Sequence, residues 1–275
     1  MLVKFRLSLT VVFTSVIGYM IIANGEVKWP ILLLLAVGGF FTTAAANAIN
    51  EVLEKDNDAL MKRTQDRPLA TGRMKISEAV LFAGLSCLVG ISLLSMISPL
   101  TSILGMLSFL LYSFVYTPLK RYSTLAVGVG AIPGALPVLI GGTAVDGQIH
   151  LLAIALFIIQ FLWQFPHFWA IGYLGFEDYK NAGYKLLPEY NGQIDRMLGK
   201  NATLYTVLIL PILVFLGYKE IISILPLTLC VLITFAFIFF GYKFHKEFDR
   251  TSARKLMFAS FFYMPLILLF ILLNR

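Results

Sequence analysis

Charge is what this sequence has least of. Only 13% of its 275 residues are Asp, Glu, Lys or Arg, about half the share found in an ordinary soluble domain. Cysteine is nearly missing: Cys87 and Cys230 are the two present, and both stand inside apolar runs. That placement indicates neither a disulfide framework nor a thiolate metal site. Low-complexity linkers and short-period repeats are also lacking. What fills the chain instead is apolar, with 59% hydrophobic residues and a mean hydropathy of +0.83. A chain this short cannot hide so much apolar surface in a water-soluble core, which excludes a soluble enzyme, a nucleic-acid-binding domain and a disordered protein.

Apolar runs punctuated by charge, glycine and proline predict spans at 7–24, 30–50, 77–97, 100–117, 124–143, 151–174, 203–218, 221–241 and 255–273. Each is near the roughly 20 residues that cross a bilayer core. The predicted fold is therefore all-α, a polytopic membrane protein with nine transmembrane helices, and residues 1–275 form one integral-membrane domain. The first run, ending near Ala23, lacks a convincing small-residue cleavage site and is read as a span rather than a leader.

With this parse, 19 of the 22 cations fall on the side of the N-terminus, leaving Lys28, Lys219 and Arg275 opposite. Lys and Arg gather on the cytoplasmic side of membrane proteins, so the N-terminus is predicted to be cytoplasmic and the net charge of +7 records orientation rather than a nucleic-acid partner. Twelve of the 15 acids share that side. The two long polar connections, 51–76 and 175–202, are therefore on one face, where a site shared between them is geometrically possible.

The second span runs through Asn50 into Glu51 and on to Asp58 without a helix breaker. If the helix continues, Asn50, Glu54 and Asp58 stand at i, i+4 and i+8 on one face. Stacked carboxylates repel unless a cation lies between them, and two carboxylates with an amide carbonyl suit Mg²⁺. The alternative is a solvated helix end whose acids balance Lys55 and Lys62. Arg63 and Arg67 follow, again four apart, and their guanidinium forks match either phosphate oxygens or a simple membrane anchor. An acid cluster beside an arginine cluster is what a magnesium–diphosphate ligand requires.

Further along, Tyr116-Thr117-Pro118-Leu119-Lys120-Arg121 closes the fourth span. Pro118 is expected to disturb the helix end and turn Lys120 and Arg121 toward the headgroups, as lipid anchors or ligand contacts. The sixth span carries Gln160, Trp163, Gln164, His167 and Trp169. An intramembrane histidine is either a functional group or a hydrogen-bonded packing residue, and its polar and aromatic neighbours point toward a pocket. Asp178 supplies an acid from the second long connection.

Taken together, Asn50-x-x-x-Glu54-x-x-x-Asp58-x-x-Met61-x-Arg63-Thr64-x-x-Arg67-Pro68-Leu69 resembles the first acidic motif of the UbiA-type intramembrane prenyltransferases. Tyr116 through Arg121, Trp163-Gln164-Phe165-Pro166-His167-Phe168, Asp178-Tyr179 and Ala182-Gly183 are similar to the heme-farnesylating branch of that family. The resemblance implies nine helices around a cavity open to the membrane, located in the cytoplasmic (inner) membrane with the active site facing the cytoplasm. It also implies Mg²⁺ as cofactor and farnesyl diphosphate as donor, with heme B as the substrate whose vinyl group receives the farnesyl chain as water adds, giving heme O. By this resemblance Asn50, Glu54, Asp58 and Asp178 hold the metal, and Glu54, Asp58, Asp178 and Lys120 are the catalytic set. Asn50, Arg63, Arg67, Tyr116, Lys120, Arg121, Gln164 and His167 bind substrate, His167 as the heme contact. Membrane lipid is a partner, and a heme A synthase or an oxidase-assembly factor is a candidate protein partner. The chain departs from the family pattern at Glu54, where many relatives carry Asp, at Ala182, which leaves the second acidic motif incomplete, and at Phe5, Val138 and Gly142. Two rival readings stand beside this one: prenyl transfer to a quinone precursor or another aromatic acceptor, and a membrane transporter. The transporter is disfavoured because no inverted repeat is visible and charge lies at one end of the spans.

Overall fold

The computed structural model describes residues 2–273, so Met1, Asn274 and the predicted outer cation Arg275 lie outside the described residues. Among those described, nine helices are long and apolar enough to cross a membrane. They are α1 (Phe5–Ala23), α2 (Trp29–Leu53), α4 (Ile76–Ser95), α5 (Pro99–Leu119), α6 (Ala126–Thr143), α7 (Leu151–Leu174), α9 (Met197–Tyr218), α10 (Ile224–Glu247) and α11 (Arg250–Leu272). Two short helices, α3 (Lys55–Ala59) and α8 (Phe176–Asn181), sit in the long polar connections. The second connection also holds a small antiparallel ladder, β1 (Glu189–Tyr190) with β2 (Gln193–Ile194). That ladder was not expected. Its turn uses Asn191 and Gly192 in the left-handed region, a conformation these two residue types adopt at little cost.

Several helices run past the apolar windows. α10 reaches Glu247 and α9 begins at Met197, because backbone hydrogen bonding continues into water after hydropathy has fallen. Large apolar side chains stay outside the bundle, among them Leu81 and Leu88 of α4, which are 64% and 66% exposed. In a soluble protein such faces would be unburied core, whereas in a bilayer they meet lipid.

Small residues set the helix contacts. A Cβ on Gly141 of α6 would stand 1.9 Å from the Ser15 carbonyl oxygen of α1, so only glycine permits that approach. On the far side of the bundle, α11 starts at a capping box in which Asp249 accepts from the Ser252 backbone N–H at 2.8 Å.

Two helix ends depart from regularity, and both shape the site. α2 stops at Leu53; Glu54 leaves helical geometry (φ −101°, ψ 5°), and α3 restarts at Lys55. The expected unbroken helix is therefore hinged, although the Asn50 carbonyl still accepts from the Glu54 N–H and the Glu54 carbonyl from the Asp58 N–H, at 3.0 and 2.7 Å. In α5, residues Leu111–Tyr116 form a π-turn, after which Thr117–Leu119 is helical again. Pro118 falls in the first turn after the wide one, one residue before the helix ends at Leu119.

Candidate active site

At the cation-rich end of the helices lies an open cavity of about 240 Å³. Asn50, Glu54 and Asp58 all line it, despite the hinge, together with Arg63, Arg67, Tyr116 and Lys120. Glu54 and Asp58 are 4% and 2% exposed, which argues against a merely solvated helix end. The apolar remainder of the wall includes Leu7, Val127, Phe168 and Ile171.

Each oxygen donor carries its own cation. Lys4 Nζ donates to Asn50 Oδ1, Lys120 Nζ pairs with Glu54 Oε1, and Arg67 Nη1 lies 2.6 Å from Asp58 Oδ2. The Asn50 amide has a fixed orientation, because its Nδ2 donates to Thr117 Oγ1 at 3.1 Å. That bond leaves the carbonyl oxygen for Lys4 and the cavity. Asp58 is folded inward by Thr64, whose hydroxyl donates to the Asp58 carbonyl at 2.9 Å. Burial raises the Asp58 carboxyl above its ordinary value, while the Arg67 guanidinium opposes the rise. Burial, with Arg67 next, pulls the Lys4 ammonium down to about 7.

Aromatic rings complete the cage. Lys120 Nζ sits 4.9 Å from the Tyr116 ring centre and 5.3 Å from that of Tyr184, within cation–π range. Arg63 donates to the Tyr179 hydroxyl at 3.2 Å and lies over the same ring. The second polar connection closes over the first: Lys185 N–H donates to the Lys120 carbonyl at 2.7 Å, and Asn57 Nδ2 to the Ala182 carbonyl at 2.6 Å.

Four predicted site residues do not line this cavity. Asp178 is exposed on α8 and does not line it; the neighbouring Tyr179, about 100° further round the helix, faces the cavity instead. Arg121 donates to the Leu53 carbonyl at the end of α2, so it secures the hinge and does not line the cavity. Gln164 is a helix clamp, donating to the Ala131 carbonyl of α6 at 2.8 Å. Its carboxamide occupies the space a Cβ at Gly134 would need, with Oε1 only 2.0 Å from that position. His167 faces α11, where its Nδ1 meets Ser260 Oγ at 2.7 Å. Its ring stacks on Trp163 at 4.8 Å, and Trp163 Nε1 donates to the Ser260 carbonyl.

The cavity also uses residues the sequence reading did not single out as site groups: Lys4, Tyr112, Tyr179 and Tyr184. Lys4 looked like a topology charge, and only the fold carries it to Asn50. Tyr112 had a usable signal, because it precedes Tyr116 and Lys120 by four and eight positions.

The donor chemistry fits a hard divalent cation. Two carboxylate groups and one amide carbonyl line one cavity, each beside its own side-chain cation and all offering oxygen. Among the described residues no three His, Cys, Asp or Glu side chains cluster tightly enough to close a metal site alone. Water and substrate phosphate would have to complete the shell.

Residues 11–264 match the sequence model of the UbiA prenyltransferase family. The chain belongs to that family. Among its UbiA relatives, the protoheme IX farnesyltransferase of Cytophaga hutchinsonii is 42% identical over 100% of this chain and 96% of its own length. The human mitochondrial protoheme IX farnesyltransferase is 34% identical over 98% of the chain and 60% of that protein. In three dimensions, a digeranylgeranylglyceryl phosphate synthase superposes with a TM-score of 0.85 at 23% identity, covering 99% of this chain and 95% of the other. A UbiA homologue from Archaeoglobus fulgidus, solved with GPP and Mg²⁺, gives 0.64 at 13% identity over 97% and 98% of the two chains. These likenesses, with the nine apolar helices, make the chain an all-α integral membrane protein of the UbiA fold.

Proposed function

We propose that the protein transfers a farnesyl group from farnesyl diphosphate to a vinyl group of heme B, with addition of water, to give heme O. The observation that carries this reading is full-length similarity to protoheme IX farnesyltransferases, matched by an acid–cation cage opening onto an apolar, aromatic wall. Asn50, Glu54 and Asp58 would hold Mg²⁺, which neutralises diphosphate charge when bound. Asp178, exposed and not lining the cavity, is left out of this proposed set.

The chain's own residues account for the remaining demands. Arg63, Arg67, Lys120 and Lys4 face the position where diphosphate oxygens gain charge, and fixed cations there favour the transition state over the ground state. The allylic C–O bond breaks with its electron pair leaving on the diphosphate. The faces of Tyr112, Tyr116 and Tyr184 can stabilise the resulting allylic carbocation and shield it from water. The π-pair of the heme vinyl group forms the new C–C bond. Water then adds at the carbon next to the porphyrin and gives up a proton, leaving a hydroxyethylfarnesyl substituent. Heme is substrate in this scheme.

The protein acts as one integral-membrane domain in the cytoplasmic membrane, with the N-terminus and cavity on the cytoplasmic side. Charge asymmetry across the nine spans supports that orientation. Purified protein given farnesyl diphosphate, Mg²⁺ and either heme B or 4-hydroxybenzoate should yield product only from heme, by mass spectrometry, and lose it with chelator. Product only from the aromatic acid would assign the protein to quinone-type prenylation instead.

A further inference from the structure

Glu51 is a buried carboxylate that the reaction scheme does not use. It is 1% exposed, does not line the cavity, and among the described residues neither carboxylate oxygen receives a hydrogen bond. Its ion-pair partner within 4 Å among the described residues is Arg67, whose Nε lies 3.7 Å from Glu51 Oε1; Lys4 acts on it as a further cation from longer range. Burying a carboxylate so deeply is unfavourable unless a cation is held against it. Arg67 is thus shared: Nη1 lies on Asp58 at 2.6 Å, and Nε faces Glu51 at longer range.

The sharing has a chemical consequence. Asp58 oxygens cannot serve a close guanidinium and a divalent ion at full strength together. An arginine with Asp58 as its one anion would compete with the metal for it. We propose that Glu51 is a positioning residue, a second seat that keeps Arg67 in the cavity wall while Asp58 turns to metal, so that the guanidinium addresses the diphosphate. This rests on the reading of Asn50, Glu54 and Asp58 as the metal–diphosphate set. Lys4, which also faces this cluster through Asn50, cannot replace Glu51 because it carries the same sign as Arg67.

The test is a double-mutant cycle on the full-length protein in lipid nanodiscs. The probe is farnesyl S-thiolodiphosphate titrated calorimetrically at fixed Mn²⁺, with thermal melts confirming folding. Glu51→Gln should weaken binding at least about tenfold, as expected when a buried charged partner is removed. Glu51→Asp, which keeps the charge, should recover to within about threefold of wild type. In an Arg67→Gln background, Glu51→Gln should change affinity less than about twofold, because the residue it acts through is gone. An equal loss in both backgrounds, or no loss in either, overturns the proposal. Should Glu51→Gln fail to fold, the cycle is run with Glu51→Asp, whose smaller loss must likewise vanish with Arg67→Gln. Failure of the underlying reading would look different: Asp58→Asn and Arg67→Gln would then bind the analogue as tightly as wild type.

Discussion

The hinged end of α2 and the middle of α7 both bury polar side chains, and they use them in opposite ways. At α2, Asn50, Glu54 and Asp58 turn toward a cavity and are met there by Lys4, Lys120 and Arg67. At α7, Gln164, Trp163 and His167 are consumed by neighbouring helices, through Ala131 and Ser260. A polar group inside a membrane bundle must be satisfied somewhere. Where another helix satisfies it, the group becomes structure. Where a side-chain cation at the wall of a cavity satisfies it, the same oxygen can be offered to a ligand.

The sharpest way to test that contrast is to alter one member of each region. Asp58→Asn should lower magnesium-dependent prenyl transfer at least about a hundredfold at unchanged protein level, read as product mass from membranes. Near-normal turnover would remove Asp58 from the metal set. His167→Ala should behave the other way, losing about 2 kcal/mol of stability in bicelle denaturation through the cavity and the lost hydrogen bond. Its affinity for the diphosphate analogue should stay within about twofold of wild type. A tenfold loss of affinity with intact stability would return His167 to the site and break the comparison. Asp178→Ala should change turnover less than about twofold, since an exposed side chain outside the cavity has little to contribute.

The smallest effect concerns the anchor of α11, the helix that satisfies His167. Hydrogen bonds from Ser252 hold the Asp249 carboxyl below the usual carboxylate range. The cap is therefore fully formed above that range and is lost as pH falls through the lowered value. Amide protection factors (exchange corrected for the intrinsic pH dependence) at Ser252 and Ala253 should fall below about pH 4 and be unchanged between pH 6 and 8, the latter two values being roughly the window in which a carboxylate stays ionised. Constant protection factors down to pH 2, about the lower end of folded carboxylate values, would show that the capping box adds nothing.

The nine spans were legible because apolar length is a local property, and so was the Asn50–Glu54–Asp58 series, whose i+4 spacing outlasts even the break at Glu54. Arg63, Arg67, Tyr116 and Lys120 followed from the same short-range logic. What could not be read was which distant neighbour each polar group meets. Nothing near Gln164 in the chain announces Gly134, nothing near His167 announces Ser260, and Arg121 is adjacent to a cavity lysine yet serves the Leu53 carbonyl. Lys4 was hidden for the converse reason: its role depends on α1 entering the bundle beside α2, and a basic residue before a first span has an ordinary topological explanation.

The wide turn at Leu111–Tyr116 carries one residue more than a regular turn would. All that follows it is dephased by about 100° from a continuous α-helical register. Tyr112, within the wide turn, and Lys120, beyond it, nonetheless look into one hollow. Shortening the segment by a single residue would restore ordinary pitch and swing the lysine ammonium off its glutamate, so the helix keeps an irregular backbone in order to keep its charge aimed.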